Sequence, residues 1–135
     1  VDCTGPAPVV LRPGSITDDQ IVAATGLALG ERDESIRVSG SLPAHYAPSA
    51  TVVLDIPPQP GDGFIALGEH ATPEGVIRLA APGTAEEFAR ELYAALRAAD
   101  DAGLTRVVVA SPEGAGIAVA IRDRLRRASH ASAER

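Results

Sequence analysis

The sequence predicts an α/β fold with a small, mostly parallel sheet and flanking helices. Two observations carry this prediction. Short apolar runs typical of buried strands, such as "TVVLDI" at 51–56 and "RVVVA" at 106–110, alternate with longer segments whose apolar residues recur at helical spacing. The order strand, helix, strand, helix is typical of a βαβ unit, whose strands run parallel because a helix crosses back between them.

Residues 1–26 predict a short strand followed by a helix. Residues 9–11, "VVL", are apolar and β-branched, and the proline and glycine that follow shortly mark a turn. Thr17 is a candidate N-cap with Gln20 three residues later, which is the spacing of a capping box, and Gly26 is a typical stop. The segment therefore predicts a helix that begins after Thr17 and ends at Gly26.

Residues 27–50 have the composition of a linker. No apolar period persists in them, and two glycines, two prolines and the charged run "ERDES" interrupt the segment. The second unit begins with the strand at 51–56, and residues 64–67 and 76–79 predict two further short strands. About seven residues separate the first two strands, fewer than the dozen or so of a helical crossover. We therefore expect no standard βαβ connection there.

Two helices and one strand complete the second unit. Thr84 and Glu87 have capping-box spacing and open a helix that extends to about Ala102, with Gly103 as the candidate C-cap. The strand at 106–110 is followed by the loop "SPEGAG" and a last helix. The apolar side of that helix is predicted to carry Ile117, Ala120, Ile121, Leu125 and Ala128.

The composition argues against several classes of function. The formal net charge is −6 and all 12 of the Lys and Arg residues are arginine, so we expect no direct binding to nucleic acid. Cys3 is the single cysteine, so this chain alone forms neither a CxxC site nor an internal disulfide, as is typical of the reducing cytoplasm. No apolar run approaches the roughly 20 residues of a membrane-spanning helix. We therefore expect a cytoplasmic protein without a membrane partner.

Three segments could bind a ligand. "SPEGAG" joins a strand to a helix N-terminus and could receive an anion, although a turn that packs the helix is the simpler interpretation. Arg12 ends a strand beside a turn, where a guanidinium either binds a phosphate or stays solvated. His45 and Tyr46 lie between two prolines and form either a functional lid or a packed linker. His70 and His130 have no second ligand at metal spacing, so no metal site is predicted.

Four segments in order, "VDCTGPAPVVLRPGSIT", "HYAP", "FARELYAALRAAD" and "GAGIAVAIRDRLRRA", resemble the C-terminal part of the two-domain threonylcarbamoyl-AMP synthases. The resemblance covers nearly the whole chain. In that family a YrdC-like catalytic domain precedes a linker and a Rossmann-like C-terminal domain. The resemblance implies formation of threonylcarbamoyl-AMP and pyrophosphate from L-threonine, bicarbonate and ATP, for threonylcarbamoyladenosine in tRNA. It also implies that magnesium accompanies the ATP.

The resemblance divides the chain into four parts. Residues 1–26 would be the end of the YrdC-like catalytic domain and residues 27–50 the linker. Residues 51–130 would be the Rossmann-like C-terminal domain, followed by a tail at 131–135. Most of the catalytic domain would therefore be missing from this chain.

The resemblance also implies roles for three residues. Arg12 matches the arginine of the family's "LRPG" turn that contacts ATP. His45 and Tyr46 match a linker motif that folds back over the nucleotide, so they would form a lid that excludes water, and Tyr46 would also bind ATP. The family's other pocket residues would all precede Val1, so the resemblance assigns no catalytic residue to this chain.

We accordingly expect the isolated chain to be inactive. A different class of function stays open beside this one. In it, the chain is a noncatalytic α/β regulatory module, "SPEGAG" binds a small anion or a nucleotide, and the segment before Thr51 is a tether.

Overall fold

The computed structural model of this chain describes residues 1–33 and 48–133, which form three α-helices and four β-strands. The helices are α1 (Asp18–Thr25), α2 (Ala85–Asp101) and α3 (Ile117–Ala133). The strands are β1 (Thr51–Leu54), β2 (Gly63–Ile65), β3 (Ile77–Ala80) and β4 (Arg106–Val109). None of the helices in the described ranges is long and apolar enough to cross a membrane.

The strands of the described residues form one sheet in the order β1-β4-β2-β3, and each neighbouring pair is parallel. The predicted α/β class with a small, mostly parallel sheet is therefore confirmed, and the architecture is Rossmann-like. Because β4 lies between β1 and β2, the carboxyl ends of β1, β4 and β2 lie side by side at one edge of the sheet.

The connection between β1 and β2 differs from a standard βαβ unit, as its length predicts. Residues 55–62 contain no helix, and the two strands that they join are not neighbours in the sheet. The strands are only three or four residues long, so a short segment can return along the sheet without a helical crossover. The connection at 66–76, between β2 and β3, also lacks a helix.

The main core lies between one face of the sheet and helices α2 and α3. Val107 and Val109 point to this face and are fully buried, whereas Val108 points to the opposite face, as the two-residue period of a strand requires. A smaller cluster on that opposite face contains Phe64, Ala66 and Val108. The main core also contains Val52, Ile65, Phe88, Leu92, Leu96, Ile121 and Leu125.

The helix termini follow the predicted capping chemistry. At α1 the Thr17 Oγ1 accepts from the Gln20 backbone N–H, the Gln20 side chain accepts from the Thr17 N–H, and Gly26 ends the helix in the left-handed region with φ of 67°. At α2 the Thr84 Oγ1 accepts from the Glu87 N–H. The Glu87 carboxylate accepts from Gly83 instead of Thr84, so only half of the predicted capping box forms.

Two expectations differ from the structure. Residues 9–11 are not a strand: Val9 forms one isolated antiparallel bridge with Asp2, because the neighbouring prolines at 6 and 8 lack the N–H groups that would extend a ladder. Residues 131–133, expected in a tail, continue α3 to Ala133. The buried Ser132 fixes this last turn, because its Oγ accepts from the Val52 N–H of β1 at 3.0 Å.

Candidate functional site

Arg12 lies in the segment between the Asp2–Val9 bridge and α1, and its guanidinium faces α3. The distance from Arg12 Nε to Asp123 Oδ2 is 3.8 Å, and the two side chains are 30% and 24% exposed. Within the described ranges, Arg12 has no hydrogen bond in addition to this ion pair. The structure therefore places Arg12 where its N–H donors remain available to a ligand.

Asp123 is held on α3 by a second arginine. Arg127, one helical turn later, donates from Nη2 to both carboxylate oxygens of Asp123, at 2.9 and 2.8 Å. Asp123 thus lies between Arg12 and Arg127. No sequence motif marked Asp123 as a partner of Arg12. One signal was present, since Asp123 is the single acidic residue of α3, a helix with four arginines.

A cavity of about 410 Å³ is lined by Pro13 and Gly14, which follow Arg12 in the sequence, and by residues at the N-termini of α1 and α3. Thr17 and Gly116 approach each other here, since a Cβ on Gly116 would lie 3.9 Å from the Thr17 methyl group. The lining is partly apolar, with Val10, Pro13, Ile16, Gly116 and Val119, and its charged side chains are Asp18, Asp19 and Arg32. The N-terminal segment and the sheet domain therefore share a concave surface next to Arg12.

His45 and Tyr46, the two residues of the predicted lid, lie outside the described residues. The structure therefore does not test their predicted roles. Of the predicted site residues, Arg12 lies within the described ranges.

A second concave region lies at the carboxyl ends of β1 and β4, where α/β sheets commonly bind ligands. Two adjoining cavities of about 520 and 530 Å³ share Asp55, Ser111, Pro112 and Glu113. The backbone N–H and the hydroxyl of Ser111 both donate to the Asp55 carboxylate, at 2.7 and 3.0 Å. This region contains the "SPEGAG" loop that the sequence singled out.

The charges around this loop do not favour an anion. Arg122 lines the 530 Å³ cavity, and it donates to the Pro112 and Gly114 carbonyl oxygens, at 2.8 Å each. Carboxylates from Asp55, Glu69 and Glu113 line the cavities. A phosphate would therefore meet like charges, and its loop donor at Ser111 is already engaged. The geometry instead supports the simpler interpretation, a turn that connects β4 to α3.

The residues around this loop also include side chains that could ligate a metal ion. His70 lines the 520 Å³ cavity together with Glu69, but the described residues contain no group of three or more His, Cys, Asp or Glu side chains that could hold a metal ion.

A bidentate ion pair lies near the amino ends of β2 and β4, at the opposite ends of the strands from the Asp55–Ser111 contact. Arg106 donates from Nε and Nη2 to the two oxygens of Asp62, at 2.9 and 2.6 Å, and Asp62 is only 7% exposed. These hydrogen bonds hold the pKa of Asp62 below its usual value, and they raise the pKa of Arg106. Both groups stay charged at neutral pH, and their role is structural.

Comparisons with known proteins agree on one family. A family model described as "Threonylcarbamoyl-AMP synthase, C-terminal domain" matches residues 16–130. The threonylcarbamoyl-AMP synthase of Pyrococcus abyssi (strain GE5 / Orsay) is 30% identical over 150 residues, which include 96% of this chain and 44% of that relative. The chain thus spans less than half the length of this curated relative.

Solved structures extend the likeness to the fold. The crystal structure of P. abyssi Sua5 complexed with L-threonine matches with a TM-score of 0.73 and 28% identity, covering 97% of this chain and 45% of that one. A variant of P. abyssi Sua5, in which an adjacent histidine and tyrosine are replaced by alanine, matches with a TM-score of 0.69 and 25% identity, over 97% and 44% of the two chains.

Proposed function

Because this chain belongs to the threonylcarbamoyl-AMP synthase C-terminal domain family, we propose that it is the C-terminal part of a threonylcarbamoyl-AMP synthase. The observation that carries this proposal is the family match over residues 16–130, together with a likeness in sequence and fold to a synthase over 96% of the chain. The complete enzyme would form threonylcarbamoyl-AMP, pyrophosphate and water from L-threonine, bicarbonate and ATP. The L-threonine bound to the P. abyssi relative supports the amino acid substrate.

The proposed division of the chain keeps residues 1–26 as the end of a YrdC-like catalytic domain and residues 27–50 as the linker. Two observations support this. The first residues have little core of their own, with Pro8 and Ile21 buried, whereas the main core is built from residues 50–128. Ile16, Val22 and Leu27 are each more than one-third exposed, which suits a segment that packs against further parts of a catalytic domain.

Arg12 is proposed to bind the phosphates of ATP. Its guanidinium is partly exposed, and within the described ranges it makes an ion pair but no hydrogen bond. By contrast, Arg106 and Arg122 each donate two hydrogen bonds to protein oxygens. A guanidinium with uncommitted donors suits bidentate binding of a phosphate and neutralises negative charge as the adenylate forms.

His45 and Tyr46 are proposed to form a lid over the nucleotide, with Tyr46 in contact with ATP. The support is the "HYAP" motif and the likeness to the P. abyssi protein, which also has an adjacent histidine and tyrosine, replaced by alanine in one of its solved structures. A lid would keep water from the reactive carbamate and adenylate.

The proposed function also includes a metal ion, the stage at which tRNA enters and a cell compartment. Magnesium would enter with the phosphates of ATP, since the described residues offer no site of their own. The net charge of −6 agrees with a reaction that forms threonylcarbamoyl-AMP before any contact with tRNA. The single cysteine, Cys3, is exposed and unpaired, which suits the reducing cytoplasm.

The test is carried out in the full-length synthase. We expect Arg12→Ala and Tyr46→Ala to lower kcat/KM for ATP by about 10- to 100-fold each, because a hydrogen bond to a charged group contributes about 1.5–3 kcal/mol. ATP-dependent release of pyrophosphate in the presence of L-threonine and bicarbonate measures this. Arg126→Ala, which removes an exposed arginine from α3, is the matched control and should leave the rate unchanged. Wild-type kinetics in both variants would exclude the assigned roles.

A further inference from the structure

We propose that Asp123, on α3, is a positioning residue that places the Arg12 guanidinium for ATP. This inference rests on the proposed function, because it concerns the same nucleotide site. It adds a residue of the C-terminal domain to a site whose other members belong to the catalytic domain and the linker.

Asp123 is fixed more firmly than an ordinary surface carboxylate. It lies two residues from both Ile121 and Leu125, which are fully buried against the sheet, so α3 cannot rotate without losing core contacts. Because residues two apart point to nearly opposite sides of a helix, Asp123 faces away from that core. Arg127 holds both carboxylate oxygens, so the orientation of the carboxylate is also fixed.

Arg12, by contrast, has few other contacts that could fix it. Its segment is tied to the rest of the chain by the Asp2–Val9 bridge and by the Gly30 N–H, which donates to the Pro8 carbonyl. Asp123 is the one carboxylate paired with Arg12 in the described part of the chain. A mobile guanidinium would lose entropy on binding a phosphate, and an electrostatic restraint beforehand lowers that cost.

The ion pair restrains Arg12 without consuming its donors. At 3.8 Å the contact is too long for a hydrogen bond, and both oxygens of Asp123 already accept from Arg127. Asp123 therefore attracts the guanidinium while its N–H groups stay free for phosphate oxygens. The neighbouring positive charge of Arg127 also offsets the repulsion between Asp123 and the ATP phosphates.

The expected effect is a change in ATP binding with little change in the chemical step. Asp123→Asn keeps an oxygen that can accept from Arg127 but removes the charge that attracts Arg12. A partly exposed ion pair contributes little, so we expect KM for ATP to rise by about two- to fivefold while kcat stays within about twofold. Asp123→Glu should return KM to near the wild-type value.

A double-mutant cycle in the full-length synthase tests the inference. KM for ATP is measured for wild type, Arg12→Ala, Asp123→Asn and the double variant, with Asp101→Asn as an exposed-carboxylate control and thermal unfolding as a check of folding. If Asp123 acts through Arg12, Asp123→Asn has no further effect in the Arg12→Ala protein.

Each other outcome is decisive. If Arg12→Ala raises KM but Asp123→Asn does not, or if Asp123→Asn raises KM equally in both backgrounds, Asp123 does not position Arg12 and the proposed function stands. If Arg12→Ala lowers kcat without raising KM for ATP, Asp123 does not place Arg12 for ATP binding and the proposed function stands. If Arg12→Ala leaves kcat/KM for ATP unchanged, the phosphate role of Arg12 fails and the positioning role fails with it.

Discussion

At the scale of single residues, the arginines of this chain differ in how many hydrogen bonds they donate. Arg78 shows the structural use: its five N–H groups donate to the backbone oxygens of Ala66, Leu67, His70 and Ala80 and to the Thr72 hydroxyl, at 2.7–3.1 Å. Its guanidinium also lies 4.9 Å from the centre of the Phe64 ring. Burial lowers the pKa of Arg78, but the group stays charged because arginine titrates far above neutral pH.

Arg12 differs from Arg78, since no described group accepts a hydrogen bond from it. An arginine therefore holds a loop in place where backbone oxygens surround it, and keeps its N–H donors unused where they do not. Composition cannot separate these two uses, because the difference lies in neighbours that are distant in sequence.

The Asp62–Arg106 pair gives a prediction about acid stability. Arg106 lowers the pKa of Asp62 in the folded chain, so the pair stabilises the fold above the unfolded pKa, near 3.8, and this stabilisation is lost as pH falls through the lower folded pKa. We expect Asp62→Asn to reduce the free energy of unfolding by about 1–3 kcal/mol at pH 7.

Urea unfolding of this chain between pH 7 and pH 2.5 measures both parts of that expectation. The difference between wild type and Asp62→Asn should be constant from about pH 7 to pH 5 and should shrink below about pH 4. Asp101→Asn, at an exposed position, is the control and should change stability by less than about 0.5 kcal/mol. A difference that persists unchanged at pH 2.5 would contradict the assigned charge effect.

At the scale of elements, the outer edge of β1 shows how α3 completes the sheet. β1 is an edge strand, paired on one side with β4. On its other side the Val52 N–H donates to Ser132 Oγ at 3.0 Å, and the same hydroxyl donates to the Ser129 carbonyl at 2.8 Å. The last turn of α3 therefore satisfies a backbone donor that would otherwise be buried without a partner.

Ser132→Ala should consequently destabilise this chain by about 1–2 kcal/mol, because the buried Val52 N–H loses its acceptor. Hydrogen exchange of the Val52 amide gives a local measurement, and its protection should fall by about 5- to 30-fold. Ser129→Ala is a matched control on the same helix, since its backbone carbonyl, which accepts the bond, is retained. Equal protection in all three proteins would show that Ser132 does not hold the edge of β1.

The sequence predicted the local parts of these elements well. Thr17, Gln20 and Gly26 set the bounds of α1, and Thr84 set the start of α2, because capping depends on residues within one helical turn. The insertion of β4 between β1 and β2 was not predictable, since strand order depends on contacts between distant residues. The pairing of Arg12 with Asp123, 111 positions apart (123 − 12), was missed for the same reason.

At the scale of the whole molecule, the two described ranges differ in how they are stabilised. Residues 48–133 enclose a core of fully buried side chains from the sheet, α2 and α3. Residues 1–33 bury Ile21 and Pro8 and expose Ile16, Val22 and Leu27. Burial of apolar side chains is the main source of folding free energy, so the second range should be able to keep its structure without the first.

The difference in core size between the two ranges predicts how this 135-residue chain behaves on its own. It should fold but should not form threonylcarbamoyl-AMP from L-threonine, bicarbonate and ATP, because Arg12 is the one described residue proposed to bind ATP. One phosphate contact is too little for tight binding, so calorimetry should detect no binding of ATP or inorganic phosphate below about 1 mM, an affinity that already requires about 4 kcal/mol.

The same titration separates the synthase fragment from a noncatalytic anion-binding module. If ATP or phosphate does bind this chain at micromolar concentration, Gly114→Ala and Arg12→Ala identify the site. Gly114 has φ of 99° in the "SPEGAG" loop, where an alanine is strained, so loss of binding in that variant alone would place the ligand at the carboxyl ends of β1 and β4 and would support the module. Loss of binding in Arg12→Ala alone would show instead that the N-terminal segment and α3 already form a nucleotide site without the rest of the catalytic domain.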